Sequence, residues 1–83
     1  MTLEQQLRNH IVSAHLPGED PENVRLDDNL IDSGILDSMA IMQLVAHLEK
    51  EYGITIPTED IDPEHFATVN SLANLVKTKR ASG

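Results

Sequence analysis

The residues most able to do chemistry in this sequence lie around one serine. Ser38 follows Asp37 directly, stands four residues after Gly34, and begins a stretch with helical periodicity. Asp37 or Ser38 stands at the N-cap of this helix, and the simplest interpretation is that Ser38 is only a cap, since the position favours serine and aspartate. A helix N-terminus also presents free backbone N–H groups and the positive end of the helix dipole, which stabilise an attached phosphate. The local sequence therefore predicts either a cap or an exposed hydroxyl that accepts a phosphoryl-linked group.

Catalysis by a serine is not supported by the surroundings of Ser33 or Ser38. The G-x-S-x-G turn of serine hydrolases is absent around both, and no local base is present to activate a hydroxyl. The histidines lack the i, i+4 spacing of a helical metal site, and we expect each at the surface or at its boundary with the core: His10, His15, His47 and His65. We therefore predict no catalytic residue and no metal site.

Charge and composition exclude further classes of protein. The chain has 83 residues, 14 acidic and 6 basic, with a formal charge of −8. Phosphate backbones are repelled by such a chain, and no basic recognition helix supports a helix-turn-helix DNA binder. A calcium loop starting at Asp27 fails because Ile31 and Asp32 stand where an oxygen ligand and a glycine are needed. Without cysteine, any thiol must come from an added group.

The acidic residues are unevenly distributed. Half of them precede or touch the Ser38 region, namely Glu19, Asp20, Glu22, Asp27, Asp28, Asp32 and Asp37. An acidic face is one interpretation and an ordinary solvated surface is the other. No apolar run reaches transmembrane length, and the N-terminus is not signal-like. We expect a single domain over residues 1–83, a monomer in the cytoplasm, with no membrane insertion and no nucleic-acid partner.

Periodicity predicts an all-α fold, a small four-helix bundle with three main helices and one short one. Helix one covers residues 3–15, opened by a capping box of Thr2 and Gln5. Its apolar positions are Leu3, Leu7, Ile11 and Ala14. Residues 17–37 form a long ordered loop, which is unusual in so small a domain and often functional. Its scattered apolar residues pin it to the core: Val24, Leu26, Leu30, Ile31, Ile35 and Leu36.

Helix two is predicted over residues 38–52 and ends at Gly53. Its apolar stripe consists of Ile41, Leu44, Val45, Leu48 and Tyr52. Residues 54–57 are interpreted as a linker with buried Ile54 and Ile56, and residues 59–66 as a short helix or a pair of turns. The last helix begins at a cap of Thr68 or Asn70 and continues to about Lys79. We expect residues 81–83 to be a frayed, disordered tail.

Residues 28–39, with the sequence DNLIDSGILDSM, resemble the modification site of acyl and peptidyl carrier proteins, which have an Asp-Ser-Leu or Asp-Ser-Met core after a glycine. The resemblance covers nearly the whole chain. It includes the exit from helix two at Tyr52-Gly53-Ile54 and the entry to the last helix at residues 66–69. The family fold is a four-helix bundle with a short third helix, which agrees with the elements read from periodicity.

The resemblance implies that Ser38 is the attachment point of 4′-phosphopantetheine from coenzyme A. A phosphopantetheinyl transferase with Mg²⁺ would attach it, and Asp37 would help present the serine. The thiol of the arm would carry acyl or aminoacyl groups as thioesters. The chain itself would not be an enzyme. It would deliver cargo from an acyl- or aminoacyl-activating ligase to downstream transferases or synthases.

Partners of this family dock on helix two and the loop before it. Mapped here, that surface includes the residues off the apolar stripe: Met39, Met42, Gln43, Ala46 and Glu49. Fatty-acid carriers often have acids in the first turns of helix two, where this chain has Ala40 and Gln43. Met39, in place of leucine, is a further resemblance of this chain to D-alanyl carriers and to specialised stand-alone carriers.

We therefore expect a specialised carrier of a polyketide or nonribosomal-peptide type of pathway, or one served by a discrete activating enzyme. The alternatives are a D-alanyl carrier, the main fatty-acid carrier, and an interaction module that keeps the carrier fold but stays unmodified. Intact Asp37-Ser38 argues against the last of these.

Overall fold

The computed structural model describes residues 1–82 and is helical throughout, with no strand in that range. The helices are α1 (Leu3–His15), α2 (Ser38–Tyr52), α3 (Pro63–Phe66) and α4 (Val69–Ser82), with single 3₁₀ turns at Pro21–Asn23 and Thr58–Asp60. α4 contacts each of the other three helices. The predicted all-α bundle of three main helices and one short helix is therefore confirmed.

The core is almost entirely aliphatic, as the scarcity of aromatic residues in the sequence requires. Phe66 is the only aromatic among the fully buried side chains, and it packs with leucine, isoleucine and valine from all the longer helices. No polar or charged side chain within residues 1–81 is buried. Stability therefore depends on close packing of apolar side chains, because burial of such surface is the main favourable contribution in a small domain.

α1 begins at the predicted capping box. The hydroxyl of Thr2 accepts the backbone N–H of Gln5 at 3.1 Å, and the Gln5 side chain accepts the backbone N–H of Thr2 at 3.1 Å. Leu7 and Ile11 are buried as predicted, but Val12 is buried with them and Ala14 is exposed. The buried face of α1 therefore includes Val12, and Ala14 in the last turn of the helix lies outside the core.

The loop between α1 and α2 is ordered and anchored, as predicted. Val24, Leu30 and Leu36 bury their side chains in the core. The backbone N–H of Leu30 donates to Ala67 O at 2.6 Å, and the N–H of Asn70 donates to Leu26 O at 3.1 Å. These bonds fix the loop against the start of α4. The 3₁₀ turn at Pro21–Asn23, which the sequence did not predict, is capped by Asp20.

The start of the segment between α2 and α3 is anchored by polar and apolar contacts. Gly53 ends α2 in the left-handed region, with φ of +63°. Ile54 and Ile56 are then buried, as expected for the linker. The N–H of Ile56 donates to the carboxylate of Glu49 at 2.9 Å, so that carboxylate ties the linker to α2.

α3 and α4 begin at side-chain caps. Asp62 accepts the backbone N–H of His65 at 2.9 Å, with Pro63 in the first helical position. At α4 the cap is Thr68, whose hydroxyl accepts the N–H of Ser71 at 3.0 Å, whereas Asn70 lies inside the helix. α4 continues to Ser82, three residues beyond its predicted end. Fraying of residues 81–83 stays a prediction, and Gly83 lies outside the described residues.

Replacing Phe66 with alanine should destabilise the protein severely. The side chain is completely buried, and loss of a buried phenylalanine costs about 3–5 kcal/mol, against roughly 5–15 kcal/mol for the whole stability of a domain. Urea unfolding followed by circular dichroism measures the change. The exposed Asn74→Ala on α4 is the control and should change stability by less than about 0.5 kcal/mol. Equal stability of the two variants would contradict this account of the core.

Candidate functional site

The N-terminus of α2 is capped by Asp37 and not by Ser38. The Asp37 carboxylate accepts the backbone N–H of Ala40 at 2.8 Å, and the Asp37 carbonyl accepts the N–H of Ile41 at 2.9 Å. Ser38 is the first residue of the helix. Of the two candidate caps in the sequence, Asp37 is the N-cap. The hydroxyl of Ser38 takes no part in capping the helix.

Ser38 is exposed at this position. Within the part of the chain that the structure describes, its hydroxyl has no hydrogen-bond partner, and the N–H groups of Ser38 and Met39 have no acceptor. Unpaired N–H groups and the positive end of the helix dipole lie beside this hydroxyl. A phosphate attached to Ser38 would therefore be stabilised where it forms.

The loop before α2 holds Ser38 in place through a compact turn. The side chain of Asn29 accepts the backbone N–H groups of Ile31 and Asp32 at 3.1 and 2.8 Å. Gly34 then adopts φ of +83°, which other residues rarely tolerate. The N–H of Leu36 donates to Leu30 O at 2.9 Å and closes the turn. The chain is thus delivered to α2 from a backbone anchored in the core.

A shallow groove of about 240 Å³ lies beside Ser38, between α2 and the segment leading into α3. Its lining is mainly apolar and consists of Ser38, Ile41, Met42, Ile61, Asp62 and Pro63. The backbone N–H of His65 holds the pKa of Asp62 below its ordinary value, a stronger effect than the burial that raises it. Asp62 is therefore the one ionised side chain in the groove lining at neutral pH.

The exposed face of α2 next to Ser38 carries no charge. Met39 and Met42 are 71% and 57% exposed, which is unusual for large apolar side chains in this protein. Gln43 and Ala46 share their exposure, and their spacing places all four on one side of the helix. Glu49, the fifth residue mapped to this surface, is half-buried and uses its carboxylate to hold Ile56.

The four histidines are half-buried, at the boundary that the sequence predicted. The sequence did not reveal that His10 of α1 and His47 of α2 stack with parallel rings, because the two positions are 37 residues apart. Among the described residues no group of three or more His, Asp or Glu side chains is arranged to hold a metal ion. No helix in the same range is long and apolar enough to cross a membrane.

A helical bundle with an exposed serine at the start of its second long helix defines a carrier-type domain. The family described as "Phosphopantetheine attachment site" matches residues 5–76. The chain therefore belongs to the phosphopantetheine-binding acyl and peptidyl carrier proteins, and the family resemblance of the sequence is confirmed. Members of this family carry 4′-phosphopantetheine covalently.

Named relatives agree with this assignment. The chain is 38% identical over 79 residues to the probable acyl carrier protein PigG of a Serratia species. The aligned residues cover 95% of this chain and 90% of that protein. It is 31% identical over 71 residues to the D-alanyl carrier protein of Lacticaseibacillus casei, covering 83% of this chain and 88% of the relative. The D-alanyl carrier protein of Lactococcus lactis is 36% identical over 63 residues, covering 76% and 80%.

A solved structure shares the fold. One chain of a crystal structure described as an FAD-dependent dehydrogenase superimposes with a TM-score of 0.76 at 36% sequence identity. The match covers 84% of this chain and 97% of that chain. The matched chain is therefore about the size of a carrier domain.

The residues at the N-terminus of α2 fit the cofactor. The hydroxyl of Ser38 is exposed and unpaired, and the free N–H groups of Ser38 and Met39 are suited to a phosphate. The apolar groove beside Ser38 offers room for part of an attached arm. Bound here, the cofactor would supply a thiol that the cysteine-free chain lacks.

The capping geometry predicts that Asp37, and not Ser38, contributes to stability. Asp37→Ala should lose about 1 kcal/mol because the N–H of Ala40 loses its acceptor, and Asp37→Asn should retain most of the stability because an amide oxygen can accept the same bond. Ser38→Ala should leave stability nearly unchanged. Thermal unfolding of the three variants checks this. A larger loss for Ser38→Ala than for Asp37→Ala would show that the serine is the cap.

Proposed function

We propose that Ser38 is the residue that carries 4′-phosphopantetheine in this protein. The observation that carries the proposal is the division of roles at the start of α2: Asp37 supplies the cap and Ser38 keeps a free, exposed hydroxyl. Asp37 presents the serine by fixing the first turn of the helix. Ser33 is a poorer acceptor because its hydroxyl already donates to Leu30 O at 3.2 Å.

The loading step forms one bond and breaks one. A phosphopantetheinyl transferase with Mg²⁺ would direct the Ser38 hydroxyl to the pantetheine-linked phosphorus of coenzyme A. The Ser38 oxygen gains the new P–O bond, its proton goes to a base of the transferase, and the nucleotide part of coenzyme A leaves. The catalytic groups belong to the transferase, and we propose that this chain has no catalytic activity of its own.

The cargo is proposed to be an acyl or aminoacyl group of a specialised biosynthetic pathway. PigG, named as a probable acyl carrier protein, supports a dedicated carrier. The uncharged face of α2 supports the same choice, because it lacks the acids expected of a main fatty-acid carrier. An activating ligase would load the arm, and downstream transferases or synthases would take the cargo from it. Tethering raises the effective concentration of the cargo at each enzyme.

We infer that an FAD-dependent dehydrogenase is one of those downstream partners. The support comes from the crystal structure described as such a dehydrogenase. Its matched chain has the size of a carrier domain and is 36% identical in sequence to this protein. The enzyme would oxidise the thioester-bound cargo by two electrons, with hydride passing to the flavin and a proton to a base of the dehydrogenase. The D-alanyl carriers among the relatives favour a second candidate, D-alanine as cargo.

The partner surface is proposed to be the exposed face of α2, formed by Met39, Met42, Gln43 and Ala46. Its two exposed methionines are adaptable apolar anchors, and the absence of charge favours a partner with apolar pockets over one with a basic patch. Glu49 lies at the end of this face but is engaged with Ile56. We place the protein in the cytoplasm as a monomer, in keeping with its small, acidic surface.

Intact-protein mass spectrometry tests the attachment site. After incubation with coenzyme A, Mg²⁺ and a broad-specificity phosphopantetheinyl transferase, the wild type should gain one phosphopantetheine and Ser38→Ala should gain none. Ser33→Ala is the matched control and should load like the wild type, because only Ser38 has a free hydroxyl at the helix start. Loading of Ser38→Ala would refute the assignment, and a chain that no transferase loads would point to an unmodified interaction module.

The proposed dehydrogenase partner is tested with the loaded carrier. The transferase would attach a panel of acyl and aminoacyl groups from their coenzyme A thioesters, and the FAD-dependent dehydrogenase of the matched crystal structure would be added. At least one carrier-bound group should lose two hydrogens in the mass spectrum as the flavin is reduced. The double variant Met39→Ala, Met42→Ala should react about tenfold more slowly or worse, since each lost apolar contact weakens docking.

The same experiment has a control and a contrary outcome. Asn74→Ala changes an exposed residue of α4, away from the proposed surface, and should react like the wild type. If no loaded group is oxidised, the dehydrogenase is not a partner. Transfer of D-alanine onto the holo protein by a D-alanine-activating ligase would then favour the D-alanyl carrier.

A further inference from the structure

The surface seam between α1 and α2 is bridged by two side-chain pairs. The rings of His10 on α1 and His47 on α2 are stacked, with centroids 3.5 Å apart and planes within 3° of parallel. One turn away, the Tyr52 hydroxyl donates to the side-chain oxygen of Gln6 at 3.3 Å. α1 otherwise packs mainly on α4. The histidine stack is therefore a prominent direct tie between α1 and the helix that carries Ser38.

The charges around this stack oppose a second proton. Burial lowers the pKa of His10 from its ordinary value of 6.5, and the nearby His47 and His15 lower it further, while Glu51 of α2 acts in the opposite direction. On α4 the guanidinium of Arg80 lies 5.9 Å from the centre of the Tyr52 ring. Two imidazolium rings in face-to-face contact repel each other strongly, and the carboxylate that acts on His10 is that of Glu51.

We propose that the stack of His10 on His47 is an acid-sensitive latch that holds α1 to α2. With at most one proton on the pair, the rings stay in contact and the seam is closed. When both rings are protonated, they separate and the seam opens. Histidine suits this role because its charge changes within the range of pH that a cell experiences, and because interacting histidines take up their protons in separate steps.

The direction of the effect on stability follows from the environment of His10. In the unfolded chain His10 binds a proton near pH 6.5, whereas in the folded protein it binds one only at lower pH. The folded state therefore holds fewer protons over that interval. The contribution of the neutral stack to stability is complete above about pH 6.5 and is lost as the pH falls through the lowered pKa of folded His10.

Opening the seam would act on the modification site at a distance. The stack lies on α2, the helix that begins at Ser38 and lines the groove beside it. Acid would thus loosen the helix on which the attachment point and the exposed methionines are arranged. The latch is independent of the identity of the cargo and of the attachment site, because it belongs to the unmodified chain.

Histidine ring titration by NMR tests the latch on the unmodified full chain. In the wild type, His10 should titrate below its ordinary pKa of 6.5, and the cross-peak between the His10 and His47 rings should disappear when the second proton binds. In His47→Gln, the titration midpoint of His10 should move upward toward 6.5, because the neighbouring ring is gone. His65→Gln, which changes a histidine away from the stack, should leave the midpoint of His10 unchanged.

Thermal unfolding supplies an independent readout. The melting temperature of the wild type should be lower at pH 5 than at pH 8. In His10→Gln and in His47→Gln, this decrease should be about half as large or smaller. Tyr52→Phe is the matched control at the same seam, because it removes the Gln6 hydrogen bond and should leave the pH dependence intact. The proposal fails if His10 titrates identically in the wild type and in His47→Gln, or if the ring contact persists when both rings are charged.

Discussion

The fixed position of Leu30 is the constraint on which the rest of this structure depends. Its side chain is completely buried, and its backbone N–H donates to the carbonyl of Ala67, between α3 and α4. A loop of some twenty residues would otherwise be free to sample many conformations, at a large entropic cost to fix. Leu36 and Val24 add two further buried anchors. Together they deliver the chain to the first residue of α2 with a defined direction.

Asp37 caps α2, and this leaves Ser38 available for modification. A capping serine would have its hydroxyl engaged with a backbone N–H and would be a poor acceptor of a phosphoryl group. With the Asp37 carboxylate on the N–H of Ala40, the helix is capped and the Ser38 hydroxyl stays free. The same short segment therefore provides a stable helix start and an available oxygen, and neither requires a catalytic residue nearby.

The distribution of charge explains how such a chain could distinguish partners. The chain is strongly acidic, with a formal charge of −8, yet the exposed face of α2 beside Ser38 has no charged side chain from Met39 to Ala46. Long-range attraction between the whole molecule and a basic partner would favour encounter. Specific docking on α2 would depend instead on the shape of apolar pockets that receive methionine side chains. This combination suits a carrier that serves a small set of dedicated enzymes.

Most of the fold and the central residues of the site are local properties of the sequence. The boundaries of α1 and α2 follow from the Thr2–Gln5 capping box, the apolar periodicity and Gly53. The short α3 follows from Asp62 and Pro63, since an aspartate before a proline is a strong start signal. These features depend on neighbours a few residues apart, which is why the sequence alone was sufficient to predict them.

Other features were decided only by the tertiary structure. The sequence left both Asp37 and Ser38 as candidate caps of α2, and only the folded turn before them determined that the Asp37 side chain reaches Ala40. It mapped Glu49 to the partner surface, whereas the linker after α2 folds back and engages its carboxylate through Ile56. It gave no indication that His10 and His47 stack. Each of these contacts depends on the relative placement of separate segments, which is fixed by packing in three dimensions and not by local periodicity.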